Sequence, residues 1–131
     1  MIHKVRTEWN GAMRFDALID GGKVAMDADP AVGGTNSGIA PKPLMLAALV
    51  GCTGMDVAAL LKKMRVDVDL FAIDTEANLT DEHPKYYDSV KVIYQFSGRS
   101  MDEAKIQKAV NLSIDRYCGV FEMFRGFAKL E

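Results

Sequence analysis

A chain of 131 residues, 49% hydrophobic and 26% charged, has the size and balance of one globular domain, residues 1–131, built on a single core. A formal net charge of -2 without a basic stripe argues against a nucleic-acid or anionic-membrane partner. The opening residues hold no apolar signal segment, and the uncharged run Pro43 to Met55 stops at Asp56, short of the ~18–20 apolar residues of a membrane span, so a soluble cytoplasmic protein is expected.

The segments "KVRTEW", "MRFDALI" and "KVAMDA" alternate polar and apolar side chains, and Asn10-Gly11 and Asp20-Gly21 separate them with turn chemistry; this predicts a β-meander. The Gly-, Pro-, Asn- and Ser-rich "DPAVGGTNSGIAP" that follows reads as a loop. Pro43 suits the first turn of a helix, and "PLMLAALVGCTGMDVAALLKKM" then runs about six turns to Lys62, Lys63 and Arg65, cations placed at the negative end of the dipole. Apolar residues lie on every side of this helix up to Met55. That pattern predicts burial all round, and one chain of this size supplies too little cover, which suggests a homodimer.

From Leu70, "LFAIDTEANL" and "SVKVIYQF" each place alternate apolar residues on one face and should pair across "TDEHPKYYD". Ser100 and Glu103 form a capping-box signature for a second helix reaching Tyr117, with Ile106, Val110, Ile114 and Tyr117 inward. The last residues, "GFAKLE", are expected to add a short edge strand. The order is βββ, α, ββ, α, β, an α+β fold.

Two cysteines, Cys52 and Cys118, stand 66 positions apart, which excludes a CxxC pair and matches no zinc pattern. With His3 and His83 the only histidines, no metal site is expected. The thiols are either buried small hydrophobes or a working redox couple. Gly51 and Gly54 beside Cys52 each cost roughly 1 kcal/mol in a helix interior, so they mark a close approach, either of a packing element or of a ligand. Phe121, Met123 and Phe124 either line a pocket or pack in the core.

The stretch "APKPLMLAALVGCTGMDVAALLKKM" resembles the signature helix of the OsmC/Ohr family, and "SIDRYCGVFEM" resembles that family's second cysteine motif. The resemblance covers essentially the whole chain and implies an intertwined homodimer with sites at the subunit interface. It also implies thiol-dependent reduction of organic hydroperoxides in oxidative-stress defence: Cys52 attacks the peroxide, Cys118 resolves the product, and an external dithiol reductant closes the cycle without a metal or organic cofactor. The chemistry suits the residues, since a thiolate attacking an O–O bond gives a sulfenic acid that a nearby thiol converts to a disulfide.

Family peroxidases also use an arginine from an N-terminal strand, held by a glutamate near the start of the cysteine helix. Arg14 matches the arginine, but Lys42, ten residues before Cys52, stands where the glutamate belongs. Lys42 cannot accept a salt bridge from Arg14. Asp56, one turn after Cys52, is either the substitute carboxylate or a structural anchor; unpaired, it would raise the neighbouring thiol pKa. "CTGMD" is more similar to an OsmC-like branch apart from the well-studied peroxidases. The alternative function is therefore a non-peroxidase dimer that binds a small apolar or thiol-bearing ligand at the subunit interface.

Overall fold

Side-chain alternation and glycine-bearing turns set the first sheet. The computed structural model describes residues 1–131, which divide into two units, Met1–Leu46 and Ala47–Glu131. In the first unit β1 (Arg6–Trp9), β2 (Phe15–Ile19) and β3 (Gly22–Met26) form an antiparallel meander in that order. Asp20-Gly21 makes a two-residue turn with Ile19 paired to Gly22, and Gly21 takes the positive φ, +92°, that the reversal needs.

The polar loop after β3 is organised by one carboxylate that the sequence reading passed over. Asp27 Oδ1 accepts from the Ala28 N–H at 2.7 Å, and Oδ2 accepts from the Thr35 hydroxyl at 2.9 Å, the Ser37 hydroxyl at 2.5 Å and the Ser37 N–H at 3.0 Å. A Cβ on Gly34 would collide with the Ala28 carbonyl, so the tight return of this loop needs glycine. The Ser37 hydroxyl, the first cause, and these N–H donors hold the Asp27 carboxyl far below its ordinary value of 3.8. A depressed folded-state pKa gives stability that is complete above pH 3.8 and lost as pH falls toward the folded value. Asp27→Asn should therefore lower the thermal midpoint at neutral pH, and its deficit relative to wild type should shrink below pH 3.8. Melting curves from pH 2 to 7 read both effects; a deficit independent of pH would assign the loss to shape rather than charge.

α1 (Pro41–Lys63) begins at Pro41 and carries Lys62 and Lys63 in its last turn. It is long and apolar enough, at mean hydropathy 2.0, to cross a membrane. Within one chain its burial is a single stripe, Leu49, Thr53, Val57 and Leu61, spaced by four. Much of the remaining surface is only half-covered or open: Met55 is 77% exposed.

In the second unit β4 (Leu70–Leu79) and β5 (Tyr87–Ser97) form the expected antiparallel hairpin, and β6 (Lys129–Leu130) adds to β5 as a parallel edge. Val57, Leu61 and Val66 pack on Ile106, Ala109 and Val110, with the stacked rings of Phe71 and Phe96, 4.5 Å apart, against them. α2 (Glu103–Leu112) starts two residues later than expected. Its N-cap is Asp102, whose carboxylate accepts from the Lys105 N–H at 3.1 Å, and not Ser100.

A π-helical turn, Ser113–Tyr117, follows α2, closed by the Cys118 N–H donating to the Ser113 carbonyl at 2.8 Å. The additional residue in this turn shifts the phase of the helix. Tyr117, expected inward, is 52% exposed, and Cys118 takes the buried position. The chain then breaks at Cys118 and begins α3 (Gly119–Arg125), an element the sequence reading lacked, so the order is βββ, α, ββ, α, α, β.

Candidate functional site

Cys52 lies mid-way along α1, half-buried, and Cys118 lies at the break between the π turn and α3, buried. Asp56 is one turn beyond Cys52 on the same helix face. The two sulfurs and a carboxylate oxygen of Asp56 all lie within 4.8 Å of one another. Both cysteines are free thiols. A disulfide needs the sulfurs at about 2.05 Å, so side-chain rotation must bring them together.

Asp56 is partnered by a hydroxyl: Ser113 Oγ donates to its Oδ2 at 3.1 Å. That hydroxyl belongs to a chain of three. Thr53 Oγ1 lies 2.7 Å from both Ser113 Oγ and Tyr94 Oη, and Thr53 and Ser113 are fully buried. Thr53 and Asp56 come from α1, Tyr94 from β5 and Ser113 from the π turn. A buried hydroxyl network is stable only when each member is satisfied, and here each has a partner. These three hydroxyls were not read from the sequence, where Thr, Tyr and Ser at wide separation give no local signal.

Burial pushes the Cys118 thiol from an ordinary value of 9.0 up to about 11. The Phe121 N–H, donating to Cys118 Sγ at 3.3 Å as the cap of α3, works the other way, while Cys52 and Asp56 add to the rise. Burial likewise raises Tyr94, against the Thr53 hydrogen bond. Cys118 is thus a protonated thiol at neutral pH, poised beside Cys52.

Of the glycines next to Cys52, Gly54 meets Ile73 of β4, whose Cδ1 would stand 3.3 Å from an added Cβ, whereas Gly51 faces open space. They border a shallow apolar groove of about 450 Å³ that also takes in Val50, Met55 and Phe71. Phe121 and Phe124 pack in the core, at 4% and 2% exposure, and Met123 is 70% exposed.

Arg14 immediately precedes β2. Its Nε donates to Asp16 Oδ1 at 2.7 Å, and its Nη1 donates to the Ser37 hydroxyl at 3.0 Å. Asn10 and Lys23 also bind Asp16, at 2.6 Å and 3.3 Å. The Arg14 hydrogen bond, the first cause, keeps the Asp16 carboxyl below its ordinary value. Arg14 is thus paired with Asp16, two residues along the chain, while Asp56 is bound by Ser113.

The chain is thus an α+β protein with an N-terminal meander and a long helix whose cysteine lies close to a second one. Residues 34–131 match the family described as OsmC-like protein, and the chain belongs to that family. It is 30% identical over 124 residues to Protein YhfA of Escherichia coli strain K12, covering 89% of this chain and 85% of that one. The crystal structure of a hypothetical protein from Aquifex aeolicus VF5 superposes with a TM-score of 0.87 at 27% identity, over 100% of this chain and 92% of that chain. The organic hydroperoxide resistance protein OhrB of Bacillus subtilis shares the fold, with a TM-score of 0.66 at 21% identity over 100% of this chain and 96% of its own. Membership gives the chain an OsmC-type α+β fold in which α1 carries Cys52.

Proposed function

We propose that the chain, acting as one OsmC-like domain paired with a second copy in the cytoplasm, reduces small organic hydroperoxides by a two-cysteine cycle. The observation that carries this reading is the approach of the Cys52 and Cys118 sulfurs to within 4.8 Å. The Cys52 thiolate attacks the peroxide oxygen, the O–O bond breaks, an alcohol leaves with a proton from the medium, and Cys52 becomes a sulfenic acid. The Cys118 sulfur then attacks the Cys52 sulfur, forming a disulfide and releasing water. An external dithiol takes over the disulfide by exchange and restores both thiols.

Arg14 is proposed as the cation that favours the Cys52 thiolate, and its anchoring by Asp16 and Ser37 supports a fixed rather than a free guanidinium. That anchoring also weakens the main ground for the non-peroxidase alternative, the Lys42 substitution. The exposed apolar side of α1 around Met55 and the groove beside Gly51 and Gly54 support pairing of two copies through this helix.

The test is free-thiol content and intact mass of the reduced protein before and after stoichiometric cumene hydroperoxide. Wild type should lose both thiols to an internal disulfide, Cys118→Ser should stop at a trappable sulfenic acid on Cys52, and Arg14→Ala should slow the loss. Survival of both thiols would sink the peroxidase reading and favour a dimer that binds a small apolar or thiol-bearing ligand.

A further inference from the structure

Two thiols and a carboxylate converging from separate elements form a donor set as well as a redox pair. We infer that reduced Cys52 and Cys118, together with Asp56, bind one thiophilic divalent cation of the Zn²⁺ class. Tetrahedral zinc, with Zn–S near 2.3 Å and Zn–O near 2.1 Å, places its sulfurs about 3.8 Å apart and sulfur and oxygen about 3.6 Å apart. The three donor atoms are already within 4.8 Å of one another, so coordination draws each pair together by about 1.2 Å at most.

The framework suits a metal. Cys52 and Asp56 sit four residues apart on one face of α1, a spacing that aims two ligands at one ion, and Cys118 approaches from the break before α3. Ser113 hydrogen-bonds the Asp56 carboxylate and is itself fixed by Thr53; such outer hydrogen bonds orient metal ligands. Two thiolates exclude hard cations such as Mg²⁺ and Ca²⁺, which require oxygen ligands. Three protein ligands leave a fourth position for water. Binding forms two metal–sulfur bonds and one metal–oxygen bond, releases the two thiol protons to solvent and changes no oxidation state.

The disulfide form lacks the ligands, so metal and oxidant compete for the same sulfurs. That consequence alone rests on the peroxidase reading. Metal binding is measured on reduced protein without oxidant, which keeps its failure separate from failure of the cycle.

The experiment titrates metal-free, reduced protein with Cd²⁺, following the sulfur-to-metal charge-transfer band, and then displaces it with Zn²⁺ in competition with a chromophoric chelator. One equivalent per chain is expected. Cys52→Ser and Cys118→Ser should each weaken binding by about a hundredfold or more, and Asp56→Asn and Ser113→Ala by about tenfold or more. Absence of the band, unchanged affinity in folded Asp56→Asn, or full binding in the double serine variant would overturn the inference. If Asp56→Asn does not fold, the wild type still decides: Zn²⁺ at one equivalent should shield both thiols from maleimide, and unshielded thiols at saturating Zn²⁺ would reject the site.

Discussion

Between pH 7 and pH 10, conversion of oxidised Cys52 into the Cys52–Cys118 disulfide should accelerate about tenfold per pH unit. Burial of the Cys118 sulfur lifts its pKa to about 11, and only the thiolate attacks. A raised value means that the proton is held, so at pH 7 about one Cys118 in ten thousand is thiolate, and each unit of pH multiplies that fraction by about ten until pH approaches 11. In the proposed cycle this makes the resolving step the pH-sensitive one. Acid quenching followed by alkylation and intact mass, after a single addition of cumene hydroperoxide, separates sulfenic acid from disulfide at each pH.

Asp56 makes the slope informative. Its carboxylate is within 4.8 Å of Cys118 Sγ, close enough to receive the proton as the sulfurs meet. A flat profile in wild type that becomes tenfold per unit in Asp56→Asn would assign it that role. A steep profile in both would leave the carboxylate out of proton transfer, and a flat profile in both would contradict the raised thiol.

The fold was legible wherever a pattern repeats locally. Alternation in β2, β4 and β5 and the Asp20-Gly21 turn are visible within a few residues, as is the uninterrupted apolar run of α1. The π turn was not, because a single additional residue leaves the 3.6-residue period nearly intact while moving the inward position from Tyr117 to Cys118. α3 was hidden for a related reason: seven residues beginning with Gly119 are too short for periodicity, and its cap is a cysteine sulfur instead of an oxygen. Ser100 and Asp102 both stand ahead of α2, and only the hydrogen bond to Lys105 separates them. Of the site, the cysteine pair came from family motifs. The Thr53, Tyr94 and Ser113 hydroxyls and the Asp16 partner of Arg14 depend on contacts that no short-range pattern encodes.

Phe124→Ala should destabilise the protein by about 3–5 kcal/mol, the range for removing a fully buried ring. Phe124 is 2% exposed, its ring lies 4.8 Å from that of Phe127, and its carbonyl accepts the N–H groups of Phe127 and Ala128 on the way into β6. A seven-residue helix has no stability of its own, so α3 persists through such packing. The exposed neighbour sets the comparison: Met123→Ala, at 70% exposure, should change stability by no more than about 0.5 kcal/mol. Denaturant unfolding measures both. The consequence reaches the site, because α3 supplies the Phe121 N–H that binds Cys118 Sγ. Loosening α3 should let water reach the sulfur, lower the thiol pKa toward its ordinary 9.0 and speed alkylation of Cys118 at pH 8. Destabilisation with unchanged alkylation would mean that α1 and the π turn alone bury the sulfur; faster alkylation in the folded variant would make α3 the element that keeps the resolving thiol protonated.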